Sequence, residues 1–495
     1  MSPTVVITAI IAAYLLLTLA VGLRAGKEAS ASVTGYVAGD RRFGLLVMYF
    51  VTGATVFSAF AFLGGPGWAY SRGAAAFYIL SYGVLGIAPW YFLGPRAARL
   101  GRRLGFVTQA QLLVGRFPSR FLSALVAALS VLAFIPYITL QMRGAGIVIE
   151  AVTDGMIPLW VGAAVAYGIV LVYVLVSGVS AVGWTNTLQG IFMLTIAWIL
   201  GIYLPWSLYG GVGPMFQEIL AERPELLEVP GLTAGGQPWG WGAYSSAILV
   251  SAVGLCMWPH LFMKAFTARD DAILRRTVVL FPTFQLFLIP VFLIGFAGVL
   301  FVDELAQPDF ILPHLILNVD LPVLVVGLFC AGALSASMST GDALMHATAS
   351  VAVEDGIRPF VKLQEATQRA LIRSLVVVAG GIAYFFALDE DQSLVVLLLS
   401  SYGIIAQLAP PIVAAMYWRR ATTAGAVGGM VAGSAVTLFF FLLPELRPWE
   451  IHEGILGLAV HVPVLVGLSW MTAPQPETHT GLFTHPDLPE RSVGG

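Results

Sequence analysis

The chain has 495 residues, of which 58% are hydrophobic and only 11% charged, with a formal net charge of −2 and a mean hydropathy of +0.87. So little polar surface excludes a soluble domain of this size and a nucleic-acid partner, and it sets a polytopic α-helical protein in a lipid bilayer. Both cysteines, Cys256 and Cys330, fall in apolar stretches, which argues against a disulfide framework.

The first apolar stretch, 4–23, has no basic residue ahead of it and reads as a retained span, not a cleaved signal peptide. Twelve more stretches long enough to cross a bilayer follow at about 44–70, 74–94, 121–150, 159–178, 184–207, 243–268, 277–302, 321–350, 371–388, 393–417, 421–443 and 453–471. Thirteen spans place the termini on opposite sides. Twenty-one of the 25 Lys and Arg fall in loops after odd-numbered spans or in the tail, among them Lys27, Arg96, Arg99, Lys264, Arg419 and Arg491. That side is therefore cytoplasmic and the N-terminus outside, in a cell inner (plasma) membrane. Residues 1–471 then form one transmembrane domain and 472–495, rich in Pro, His and Gly, a disordered cytoplasmic tail. An appended sensor-kinase module has no room.

The second span carries Gly53 and then Gly64-Gly65-Pro66-Gly67; the seventh carries Gly254 and Pro259 beside Ser251 and His260. Pro removes an amide donor, and Gly lowers the cost of unwinding. Such breaks survive in lipid only where the freed backbone groups meet a cavity, a ligand or an ion. A matched pair five spans apart predicts an inverted-repeat transporter, with repeats at about 44–207 and 243–417. Ordinary Pro-kinked helices would carry the same letters.

In the fourth span Arg143 is the one basic residue placed well inside the membrane, where a charge costs about 2.5–3.5 kcal/mol. It suits the carboxylate of a substrate; snorkelling to headgroups or pairing with Glu150 or Asp154 are its competing uses. Tyr137, Gln141, Ser251, Trp258 and Gln407 are further substrate-cavity candidates at that depth, each also suited to hydrogen bonding inside the bundle. The ninth span holds Ser335, Ser337, Ser339 and Thr340 within residues 331–342. Hydroxyls beside close-packed backbone suit a small hard cation. Close helix packing explains Ala and Ser here, but not a Ser339–Thr340 pair facing a broken helix. Asp342 and His346, one turn apart, form either a proton relay or a structural pair. No metal-ligand cluster or nucleophile–base pair has suitable spacing, which argues against an enzyme.

Four segments together carry a resemblance. Ser180-Ala181-Val182-Gly183-Trp184-Thr185-Asn186-Thr187-Leu188-Gln189-Gly190 resembles the Ala-Val-x-x-Thr-Asp-x-x-Gln signature of the sodium:solute symporter family. Met338-Ser339-Thr340-Gly341-Asp342, Pro259-His260 and the stretch from Gln407 to Thr422 are similar to further segments of that family, in the same order. The resemblance covers nearly the whole chain and leans towards the monocarboxylate and pantothenate branch. It implies a leucine-transporter-like inverted repeat (5+5) with one extra N-terminal and two extra C-terminal helices. It also implies a sodium site built from backbone carbonyls of Ala54, Phe57 and Ala336 with the hydroxyls of Ser339 and Thr340. Asn186 stands where the family usually has Asp, and Val56 where proline permease has Asp, which favours one coupled cation over two. Asn186, Asp342 and His346 are then candidates for the ion path.

The expected function is a cation-coupled symporter, with Na+ first and H+ second. It would import a small organic solute: a monocarboxylate, pantothenate or an amino acid. A proton-coupled carboxylate symporter and a non-transporting sensor on the same scaffold are the alternatives. A small accessory membrane subunit is an allowed partner.

Overall fold

The computed structural model describes residues 3–26, 33–38, 41–302, 305–388 and 394–485. Lys27, Arg491 and the last ten residues of the tail lie outside them. Among the described residues the chain is helical throughout, with two isolated bridges, Phe43 to Ala268 and Leu232 to Pro238, in place of any sheet. That follows from the solvent: in lipid each peptide group needs a partner within its own segment.

Ten helices are long and apolar enough to span, and two bent pairs bring the number to twelve. The thirteen expected spans are not reached. The difference lies at 74–94, which is divided between helix Phe77–Ile87, continuous with the second half of the first bent pair, and helix Trp90–Leu104 with its basic last turn.

Both bent pairs lie in the spans expected to break: Leu45–Val56 with Phe60–Ile87 turns by 55°, and Trp241–Leu255 with Pro259–Thr267 by 43°. The first break is not where the Gly/Pro run suggested. Gly64–Gly67 stays helical, because Pro66 sits in the first turn of Gly65–Arg72, where no amide donor is needed, behind a π-helical turn at Phe60–Gly64. The chain turns instead at Phe57–Ala59, and the reason is side chains that replace backbone bonds. Gln141 Oε1 accepts from the Ala59 amide (3.1 Å) and Ser58 Oγ from that of Phe60 (3.2 Å).

Helix Val323–Val351 is central. Of its most apolar window within 323–357, 78% is buried, against 28–61% in the other unbroken spans. It packs on Leu159–Tyr209 and Arg120–Val152. Gly341 allows the first contact, since a Cβ there would stand 2.2 Å from the Tyr167 hydroxyl. Thr423–Leu442 and Glu453–Met471 pair with each other as an added layer.

The basic residues gather at one end of the bundle. Arg41 donates to the carbonyls of Gly101 (3.0 Å) and Phe106 (2.9 Å), and Arg99 and Arg102 meet Asp271. At this end Phe43 N to Thr267 O (3.1 Å) and Arg269 N to Phe43 O (3.1 Å) tie the approach of the first broken helix to the exit of the second.

The tail corrects an expectation. Glu477–Thr484 is a helix docked on Gln109–Arg116 and Ala409–Tyr417, so this part is ordered. Arg116, fully buried, anchors it: its guanidinium donates to Gln475 and to the carbonyls of Arg419 (3.1 Å) and Ala421 (3.0 Å). Burial draws its pKa down to about 10, which leaves it charged at neutral pH. Arg116→Met should therefore lower stability by roughly 3 kcal/mol or more, since several buried acceptors lose a charged donor at once. Thermal unfolding of the purified chain checks this; an unchanged midpoint would remove the anchor role, and Arg116→Lys should recover only part of the loss.

Candidate functional site

Where the first break faces helix Val323–Val351, the freed carbonyls meet hydroxyls. Ser339 Oγ donates to Ala54 O (2.9 Å) and lies 3.1 Å from Ala336 O; Thr340 Oγ1 lies 3.0 Å from Thr55 O and 3.3 Å from Ala54 O. All these groups are fully buried. Four of the five expected sodium ligands are thus brought together. The fifth, Phe57, is the turning residue (φ −96, ψ 86), with its ring packed among Phe281, Phe284 and Phe287. Thr340 also reaches the Thr55 carbonyl, a residue that sequence reasoning passed over. The result is a cluster of neutral oxygens suited to a weakly held alkali cation.

Asn186 closes this cluster from the side. Its amide donates to Ser339 O (2.7 Å) and Thr55 Oγ1 (3.1 Å), while its own Oδ1 meets no protein donor among the described residues. Asp342, one turn from Ser339, accepts from Tyr173 (2.9 Å) and Thr185 (3.1 Å). His346 bonds the Tyr36 carbonyl (2.9 Å). The two side chains thus bond different neighbours, and among the described residues they form no direct pair. They share a helix face, but their side chains diverge, Asp342 towards Leu159–Tyr209 and His346 towards helix Val33–Ala38.

The second break gathers a cluster of buried aromatic rings, the candidate substrate chamber. The Trp258 ring lies 4.9 Å from Tyr137, 5.9 Å from Phe134, 5.7 Å from His260 and 5.6 Å from Tyr402. Gln141, one turn beyond Tyr137, joins it to the first break. Gln141 Nε2, Trp258 Nε1 and both ring nitrogens of His260 are buried with no protein partner among the described residues. Ser251, about two turns before the break, also has an unpartnered hydroxyl. Sequence reading missed Phe134, which carries no polar group, and Tyr402, whose hydroxyl it passed over, and named His260 without a role.

One expectation changes here. Gln407 does not join the chamber: its amide is committed to Gly454 O (3.0 Å), Thr437 (3.2 Å) and His461 (3.1 Å) in the C-terminal layer. Arg143 is buried, and its charge acts on the Asp309 carboxyl. Burial pushes the Asp309 carboxyl up, while the Leu394 amide (2.9 Å), Arg143 and Arg72 act against that shift. One basic residue was misplaced. Lys264, counted with the loop cations although it falls in the 243–268 span, is 4% exposed and opens helix Lys264–Thr267 past the second break.

A model of the sodium:solute symporter family matches residues 36–433. The uncharacterized symporter YhjB of Bacillus subtilis (strain 168) is 33% identical over 345 residues, 68% of this chain and 69% of the relative. A monocarboxylate transport permease protein of Rhizobium johnstonii is 28% identical over 276 residues, 55% of this chain and 54% of the relative. Among solved structures, a Na+-coupled sialic acid symporter in a substrate-bound outward-open state superposes with a TM-score of 0.76 at 18% identity, covering 94% of this chain and 98% of its own. That likeness establishes the leucine-transporter-like fold.

Proposed function

Because the chain belongs to the sodium:solute symporter family, and is therefore a sodium-coupled secondary transporter and not an enzyme, we propose that it imports a small organic acid across the plasma membrane by alternating access. The cargo is a monocarboxylate, pantothenate or an amino acid. One observation carries the acid: the buried polar atoms left unpartnered in the chamber are mostly N–H donors, at Gln141, Trp258 and His260. Leaving each unpaired costs about 1–3 kcal/mol, so their retention calls for an acceptor-rich ligand. A carboxylate supplies two oxygens with about four lone-pair sites. The relative named as a monocarboxylate permease supports the same class.

The sodium ion would bridge Ala54, Ala336, Ser339 and Thr340, joining the broken helix to the central one, so that cation and cargo stabilise one closed arrangement. Arg143, balanced by Asp309, would line the outer approach and draw anions towards it. The arginine-rich end would face the cytoplasm. With one sodium per monoanion no net charge crosses, so a tenfold sodium gradient sustains roughly tenfold accumulation.

The test is uptake of labelled pyruvate, lactate, acetate, pantothenate, proline and glucose into proteoliposomes, under an inward sodium gradient and then sodium-free under a proton gradient. Sodium-driven uptake of one of the acids or of proline is expected. Uptake of glucose alone would overturn the acid reading, and binding without flux would favour a sensor.

A further inference from the structure

The proposed cycle uses the groups at both breaks but leaves Lys264 without work. It sits past the second break and lines a narrow recess at the arginine-rich end of the bundle, with His260, Thr267, Val179, Val182 and His346. Among the described residues no carboxylate forms an ion pair with it. Asp342 opposes it through space; its Oδ2 accepts from Tyr173 and Thr185, and its Oδ1 has no protein donor among the described residues. His260, 3% exposed and with both ring nitrogens unpartnered, belongs to the chamber and to the recess alike. A buried cation with three donors, next to an unsatisfied imidazole and apolar walls, is an anion site by its chemistry.

We infer that Lys264 and His260 form a second site for a small carboxylate, on the release side of the substrate chamber. This rests on the reading that the cargo is an acid. The carboxylate leaves the donors of Trp258 and Gln141, passes His260, and is held by the Lys264 ammonium before reaching the open end. The valines keep water away and strengthen the attraction. Asp342 weakens it again, so the station passes its anion on without trapping it.

The sequence holds three lysines, Lys27, Lys264 and Lys362, so lysine labelled with 13C at Cε gives three assignable NMR signals in the full chain in nanodiscs. The signal lost in Lys264→Arg should move saturably with acetate and not with chloride at the same ionic strength. No movement, or equal movement with chloride, overturns the site, whatever the uptake panel shows. A saturable shift in a protein that carries no acid keeps the site and rejects the cargo. In proteoliposomes, Lys264→Gln should raise the internal half-saturation for efflux of the transported acid by about tenfold and leave the external constant within about twofold. Equal changes on both faces would make Lys264 a packing residue and overturn the proposal.

Discussion

Replacing Ser339 with Ala should raise the sodium concentration for half-maximal uptake by roughly tenfold or more, and Ser339→Ala with Thr340→Ala should abolish sodium activation. The oxygens around these two hydroxyls are neutral, so no carboxylate compensates for a lost ligand. Folding should suffer far less. Each hydroxyl also bonds the carbonyls of Ala54 or Thr55, and a bond of that kind contributes about 0.5–1.5 kcal/mol. The two effects separate in a measurement that needs no cargo. Sodium that binds only the folded protein raises the unfolding midpoint, and the rise grows with the logarithm of its concentration. The double variant should lose that increment and keep most of its midpoint in sodium-free buffer. Wild-type sodium activation in both single variants would remove the ion from this position.

Asp342→Leu should be a strongly damaging change in the membrane interior, costing about 1–3 kcal/mol for each buried hydroxyl it leaves unpaired. It strips the acceptor from Tyr173 and Thr185 and leaves Lys264 without the charge that opposes it. Asp342→Asn retains an acceptor for both hydroxyls, so its loss should be smaller. Combining it with Lys264→Gln should restore part of that loss, because the uncompensated charge goes with it. Size-exclusion profiles and unfolding midpoints of the four proteins decide the matter. A leucine variant as stable as wild type, or a double variant no better than Asp342→Asn, would show that the two charges do not sense each other.

The sequence carried the site better than its surroundings. Ser339 and Thr340 were legible because hydroxyl clusters are rare in lipid-facing helices and need a reason. The second break was legible through Pro259. The first was misread by eight residues or so, because the Gly64–Gly67 run looks like the cause of an interruption. The true causes, Gln141 and the hydroxyls of Ser58, Ser339 and Thr340, are for the most part distant in sequence and act only once folded. Gln407 failed for a related reason. Depth along a span says nothing about which neighbour consumes a polar group. Asp342 and His346 show the limit of spacing arguments: one turn apart fixes a common face, not a common partner.

One joint in the molecule has no slack. Spans Leu159–Val176 and Gly178–Tyr209 run into each other through Gly178, whose backbone (φ 57, ψ −144) a side chain rarely adopts. A Cβ there would stand 2.6 Å from the Tyr36 ring and 2.7 Å from the Tyr36 carbonyl. Tyr36 in turn bonds the Val174 carbonyl through its hydroxyl and His346 through its own carbonyl. No loop separates these two spans, so the connection is an elbow of fixed length. Whatever tilts one of these spans must drag the other and the segment around Tyr36 with it. A spacer of a few residues inserted here would let the two arms move separately.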